Sequence, residues 1–419
     1  MLIEAVSQTT DGHVYILYGN DDINIAPGIT IESTTTDAIT TWQGQHTVTL
    51  SGRILSHDDG INTIGTLDAQ TIIIAAGASI VSGADGMIED SDGVILDGIN
   101  SVLTNRGSIT SHGSALSLFV HDGGTTTIAN YGSLTATKYG VWNKFGSGTL
   151  NFTNYGTVES PLGSYRGGEY VDLLTNKGIM RGNIDLAGGN DLYIGTGGTV
   201  VGLITGGSGS DRFVLGSKAE NIDGGFDTDT LDFSALTSAI TVDLANNANN
   251  RGAAALGDTY AGIEIVLGTT RNDTLTGDAA DNILIGNSGA DRLLGGAGQD
   301  VLEGGASRDY LTGGDGGDVF VFNSTVGLGD YILDFDHASD LIRLEGSAFG
   351  YGSYAGGVAA DDFVTATNNA ALDLSDRFIF RTTDATLWFD RDGKGGVAAV
   401  MVADLQAGAV VEFWNLLIS

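Results

Sequence analysis

Asp291, Asp300 and Asp309 stand nine residues apart, each the sixth letter of a word that opens on glycine: GNSGADRLL, GGAGQDVLE, GGASRDYLT. Glycine admits backbone with φ > 0, which a Cβ would penalise, and such a turn points carbonyl oxygens inward. Aspartate brings a hard anionic oxygen to the same place. Carbonyl plus carboxylate oxygen is the ligand set of Ca2+, which takes six to eight oxygens in a flexible geometry. Zinc or copper would call for His or Cys; the words hold no His, and the chain has no Cys.

Six such words run without a gap from Gly268, and their sixth positions are Asp273, Asn282, Asp291, Asp300, Asp309 and Asp318. The eighth positions are Leu275, Leu284, Leu293, Leu302, Leu311 and Phe320, one apolar residue per very short strand. Isolated copies precede them: GGSGSDRFV from Gly206 with Asp211, GGFDTDTLD from Gly224 with Asp229, and GGNDLYI from Gly188 with Asp191. Two words complete one coil, so the leucines of successive words face each other from two thin sheets. Carboxylates stacked at the coil spacing of about 4.8 Å would repel unless a cation lay between them.

These words resemble the repeats of the RTX (repeats-in-toxin) family, whose nonapeptide is GGxGxDxUx with U a large apolar residue. The resemblance covers about residues 186–321, and the tail looks like the C-terminal region of RTX proteins exported by type I secretion. It implies a parallel β-roll in which several Ca2+ ions are held by sixth-position carboxylates and by the carbonyls of positions two and four. Carried onto this sequence, the carboxylates are Asp191, Asp211, Asp229, Asp273, Asp291, Asp300, Asp309 and Asp318. The carbonyls are those of Gly207, Gly209, Gly289, Gly296, Gly298, Gly305, Gly314 and Gly316. The chain departs from the pattern where Asn282 replaces aspartate and where Arg271, Ala280 and Ser307 replace the fourth-position glycine. Asp273 is thereby the weakest ligand of the set. The resemblance also implies an uncleaved C-terminal signal, a type I secretion apparatus as partner, and a secreted bacterial protein that folds on calcium after export.

The elements that must position these words are all β. Upstream, LTNRGSIT, IANYGSLT, FTNYGTVE and LTNKGIMR recur with Asn105, Asn130, Asn154 and Asn176 at spacings of 25, 24 and 22 residues. A period in the twenties, with β-branched residues around an Asn-x-Gly turn, reads as coils of a parallel β-solenoid whose apolar faces are buried only by stacking. The asparagines are read first as a stacked ladder closing each turn, with a functional polar stripe as the alternative. The expected organisation is a β-solenoid over 1–185 and a β-roll over 186–321 carrying a non-repeat segment at 232–267. A C-terminal cap with the secretion signal follows over 322–419.

Composition agrees with this. The 419 residues hold 65 glycines but two prolines, and 52 acids against 18 Lys and Arg give a net charge of −34. Such a chain repels nucleic acid and attracts cations. The N-terminus has neither a basic region nor a long apolar core and reads as no signal peptide, and no apolar run is long enough to span a bilayer.

Whether residues 1–185 catalyse anything is a separate question. The chain has no His-Glu-x-x-His zinc motif and no Gly-x-Ser-x-Gly elbow. The acid/base candidates for a polysaccharide lyase or epimerase are His112, His121, Asp122, Lys138, Tyr139 and Arg166, with Trp42 and Trp142 as sugar-stacking candidates. They are scattered over several coils and form no compact motif. The favoured expectation is a structural or adhesive role at the cell surface or in extracellular matrix, as a self-assembling layer or filament or against surface polysaccharide. A polysaccharide-acting enzyme is the alternative.

Overall fold

The computed structural model describes residues 1–63, 68–83, 90–121, 123–144, 147–252, 255–325, 329–353 and 355–419. These residues form short β-strands with three 3-10 turns and no α-helix, so the expected all-β solenoid class holds. The chain divides into two compact units, Met1–Asp229 with Thr259–Gly262, and Thr230–Asp258 with Ile263–Ser419. No helix among the described residues is long and apolar enough to cross a membrane.

In the first unit the chain winds through three parallel sheets, coil upon coil. Thr125–Asn130, Ser133–Ala136 and Tyr139–Asn143 make one coil, and each pairs in register with its counterpart a coil later. Alternation along each strand sends every second side chain inward. Ile72, Leu103, Ile128, Phe152, Leu174, Tyr193 and Phe213 therefore stack in one buried column. Burying each such side chain contributes about 1.5–3 kcal/mol, with cover from neighbouring coils and from the facing strand of the same coil, as where Phe152 stacks on Tyr165.

The asparagines form the ladder. The Asn105 amide donates to Asn130 Oδ1 at 2.8 Å, Asn130 to Asn154 at 2.8 Å, and Asn154 to Asn176 at 3.0 Å, all fully buried. Oδ1 of Asn105, Asn154 and Asn176 accepts the N–H of Gly107, Gly156 and Gly178 in turn, which closes those Asn-x-Gly turns. Replacing Asn130 with Ala leaves polar groups on both neighbouring coils without partners. We expect a loss of about 2–4 kcal/mol, seen as a lower thermal midpoint in calcium with unchanged calcium affinity.

The second unit has a shorter coil. Leu231, Val266, Leu284, Leu302, Phe320, Ile342 and Leu416 stack along one sheet. Val242, Leu275, Leu293, Leu311, Ile332 and Leu405 stack along the other. The eighth-position residues of the six tandem words are all buried here. The sequence reading ended the repeat at Val321. The stack in fact continues through Asp330–Ile332 and Leu341–Leu344, whose words lack the opening glycines. Beyond them the tail turns antiparallel: Phe378–Arg381 pairs with Thr386–Phe389, and Thr386–Phe389 with Val400–Leu405. Phe349, Phe378 and Phe389 pack beneath that sheet. Covering a parallel stack in this way removes an open edge.

Candidate metal-binding turns

The sixth-position carboxylates sit at the corners of the coils, and each is fixed by the coil before it. Asp191 N–H donates to Asp211 Oδ1 at 2.8 Å, and Asp211 N–H to Asp229 Oδ1 at 2.8 Å. In the second unit Asp273 N–H reaches Asp291 at 2.6 Å, and Asp291 N–H reaches Asp309 at 2.7 Å. On the opposite corner Asn282 N–H reaches Asp300 at 2.8 Å, and Asp300 N–H reaches Asp318 at 2.9 Å. All of these carboxylates are buried. The Oδ2 atoms of Asp191, Asp211, Asp291, Asp300, Asp309 and Asp318 are buried without a hydrogen-bond partner. A buried carboxylate oxygen left bare is costly, and its repetition at the same corner makes these oxygens the candidate cation ligands.

The turn backbone shows the same selectivity. Gly207, Gly209, Gly289, Gly296, Gly298, Gly305, Gly314 and Gly316 all have positive φ, between 95° and 148°. A Cβ at Gly316 would lie 1.7 Å from the Gly298 carbonyl oxygen, so the turns stack too closely for any side chain. Where the pattern lacks glycine, four other residues take the left-handed conformation regardless: Ala187, Asp227, Asn287 and Ser307, at φ 75°, 75°, 72° and 94°. Non-glycine residues hold such values at a cost of about 1–3 kcal/mol. Ser307, a departure in the sequence, is thus none in the backbone.

Two words are built differently. In the word of Asp273, positions two and four are Thr269 and Arg271, and in that of Asn282 they are Asp278 and Ala280; none has positive φ. There the position-two N–H turns inward and donates to the sixth side chain, Thr269 to Asp273 Oδ2 at 2.6 Å and Asp278 to Asn282 Oδ1 at 2.8 Å. These closed turns consume the oxygen that the open turns leave bare. Asp340 repeats the closed form, accepting the Asp336 N–H at 2.8 Å on Oδ2. Asp330 and Asp340 were not singled out in the sequence; their signal was an Asp followed two residues later by a large apolar residue.

Burial is the leading cause of raised carboxyl pKa values along the columns. Asp191 is pushed up to about 9, Asp330 to about 8, Asp291 to about 7, and Asp211 and Asp300 to about 6. Burial also raises Asp273, Asp309, Asp318 and Asp340. Without metal, the folded protein therefore keeps protons that the unfolded chain releases near 3.8. Calcium-free stability should be highest in acid and fall as pH rises through 6–9. Denaturant midpoints in EDTA from pH 5 to 9 check this. Calcium must displace those protons, so its affinity should rise over the same window.

The upstream candidates do not assemble into an acid/base set. His121 pairs with Asp97, and Lys138 with Asp90 at 3.0 Å, while His112 is exposed. Asp122 lies outside the described residues. Tyr139, Trp142 and Arg166 do meet, with Arg166 donating to the Tyr139 hydroxyl at 2.9 Å and lying over both rings. Arg166 also faces Asp185 at 3.8 Å, so the group is closed on itself. Trp42 is exposed, beside Tyr18 in register. Asp37, Asp58 and Asp59, which the sequence did not flag, gather within 4.8 Å, and the Asn62 amide bridges Asp37 and Asp59.

Stacked glycine turns that bury bare carboxylate oxygens between parallel coils define a cation-binding β-roll. The RTX calcium-binding nonapeptide repeat matches residues 203–235, 258–293 and 285–320, and the chain belongs to the RTX family. Among solved structures it is similar to the AlgE6R3 subunit from the Azotobacter vinelandii mannuronan C5-epimerase. The identity there is 30% over 36% of this chain and 80% of that one, with a TM-score of 0.25. It is also similar to the extracellular lipase LipA from Serratia marcescens, at 14% identity and a TM-score of 0.24 over 84% of this chain. The match spans 45% of the lipase. No curated protein matches the sequence.

Proposed function

We propose that this is a secreted, calcium-folded structural or adhesive protein of the cell surface or extracellular matrix. The observation that carries the reading is the repeated open turn, with a bare buried Oδ2 at Asp191, Asp211, Asp291, Asp300, Asp309 and Asp318. Those oxygens, with the carbonyls of the positive-φ residues beside them, are the ligands of the bound Ca2+. Calcium supplies the positive charge that lets the corners of the roll close.

In this reading residues 1–185 present a repetitive surface, 186–321 fold on calcium, and 322–419 close the roll and carry the type I export signal. Low calcium inside the cell keeps the roll open for export, and millimolar calcium outside folds it. The paired state of His121, Lys138 and Arg166 supports surface over catalysis. Electron microscopy of EDTA-treated protein before and after dialysis into millimolar calcium tests the role. Filaments or sheets that appear only with calcium support self-assembly. Monodisperse particles that depolymerise or epimerise a glycan would transfer the reading to an enzyme.

A further inference from the structure

The first unit carries a hollow of about 270 Å³ bordered by Tyr139, Gly163, Asn183, Asp185 and Thr205. Its strands, Tyr139–Asn143, Gly163–Arg166 and Ile184–Asp185, lie side by side in register. Tyr139 therefore stands opposite Gly163, and Arg166 opposite Asp185. A Cβ at Gly163 would come within 3.2 Å of the Tyr139 ring. With glycine there, the ring borders the hollow across bare backbone.

The rim offers hydrogen bonds of both senses. Arg166 donates to the Tyr139 hydroxyl at 2.9 Å, so that hydroxyl keeps its own O–H to give. Arg166 and Asp185 stand 3.8 Å apart, too far for a hydrogen bond, with side chains 44% and 45% exposed. Asn183 Oδ1 accepts the Leu203 N–H at 3.1 Å, which fixes the amide and leaves its NH2 to donate. Trp142 widens the aromatic side, its ring centroid 5.1 Å from that of Tyr139. Arrangements of this kind unsuit the groups to proton transfer and suit them to binding.

We propose that this hollow binds one uncharged pyranose unit of a glycan chain, with Tyr139 against the sugar ring and Arg166, Asn183 and Asp185 on its hydroxyls. The proposal rests on the adhesive reading above and names the class of its partner. A pyranose has an apolar C–H face and an edge of hydroxyls that donate and accept, and an aromatic ring rimmed by a guanidinium, a carboxylate and an amide meets both. The size fits one ring, close to the lower limit of about 300 Å³ for small-molecule sites. Leu162, Arg166 and Asn183 are exposed at the rim, so the glycan chain can continue on either side. Charge selects the kind of sugar. Arg166 and Asp185 cancel locally, and a chain of net charge −34 repels a polyanion.

Calorimetry and saturation-transfer NMR on the full chain in calcium test the site, with cellohexaose, mannohexaose and chitohexaose as neutral probes and hexagalacturonate as the charged one. At least one neutral probe should bind, with transfer strongest to its ring C–H protons, and hexagalacturonate should bind at least about tenfold more weakly. Tyr139→Ala and Asn183→Ala should each weaken binding about tenfold. Trp42→Ala, at an exposed ring several strands away along the same sheet, should change nothing. If Tyr139→Ala misfolds by far-UV circular dichroism, Asn183→Ala decides alone. Binding that survives both substitutions, or that is lost in Trp42→Ala, would overturn the hollow as the site and leave the adhesive reading standing. A preference for hexagalacturonate would overturn the uncharged class. A parent that binds no neutral probe yet forms filaments with calcium would overturn this site alone, and one that does neither would overturn the wider reading as well.

Discussion

Stripping calcium with EDTA should unfold the coils of residues 186–321, and restoring millimolar calcium should refold them. The open turns of Asp191, Asp211, Asp291, Asp300, Asp309 and Asp318 bury carboxylates whose Oδ2 atoms have no protein donor, so without a cation the columns either take up protons or come apart. Above pH 7 protonation is a weak remedy for Asp211 and Asp300, held near 6, so separation wins. A site with a dissociation constant of ~100 µM gains about 1.4 kcal/mol at ~1 mM calcium. Four such sites contribute roughly 5–6 kcal/mol, within the range of a whole domain's stability. The Asn-laddered coils from Asn105 to Asn154 lie outside the column that begins at Asp172 and should keep their β signal. Hydrogen exchange with and without EDTA, resolved by segment, reads both halves of this expectation.

The second large effect is expected at Asp300. It is fully buried, its Oδ1 holds the Asn282 N–H at 2.8 Å, and its Oδ2 faces the turn at Gly295. Asp300→Ala removes the anchor and the ligand together. The cost should be about 3–5 kcal/mol in the calcium-loaded protein, with the ion between Asp300 and Asp318 lost. Asp300→Asn keeps an oxygen for the Asn282 N–H and discards the charge, so it should lose the ion at a smaller cost in stability. Thermal melts in calcium, paired with isotherms of both variants, separate anchoring from ligation. Equal destabilisation by Ala and Asn would mean that the charge alone matters and that the N–H bond contributes nothing.

Much of this was legible in the sequence because a solenoid writes its geometry as a period. Leu284, Leu293 and Leu302 sit where the eighth position sends them, and Asn105, Asn130, Asn154 and Asn176 bond to one another as their spacing suggests. Other features were hidden because the word is recognised by its glycines. Asp336 closes the turn of Asp340 through its own N–H, and Thr269 does the same for Asp273, so neither turn needs glycine at positions two and four. Conversely, Asn287 and Ser307 hold at positions two and four the left-handed backbone that glycine supplies in the other words. The contrast between open and closed turns depends on which way one N–H points, and composition carries no trace of that.

The central claim is that the open turns hold ions between coils, and the most direct measurement is a count of calcium bound per chain after flow dialysis at millimolar calcium. One ion is expected for each coil-to-coil pair of open words, Asp191–Asp211, Asp211–Asp229, Asp291–Asp309 and Asp300–Asp318. A count of four, falling by one in Asp300→Asn, is the predicted result. A fully folded chain that binds one ion or none would contradict the account.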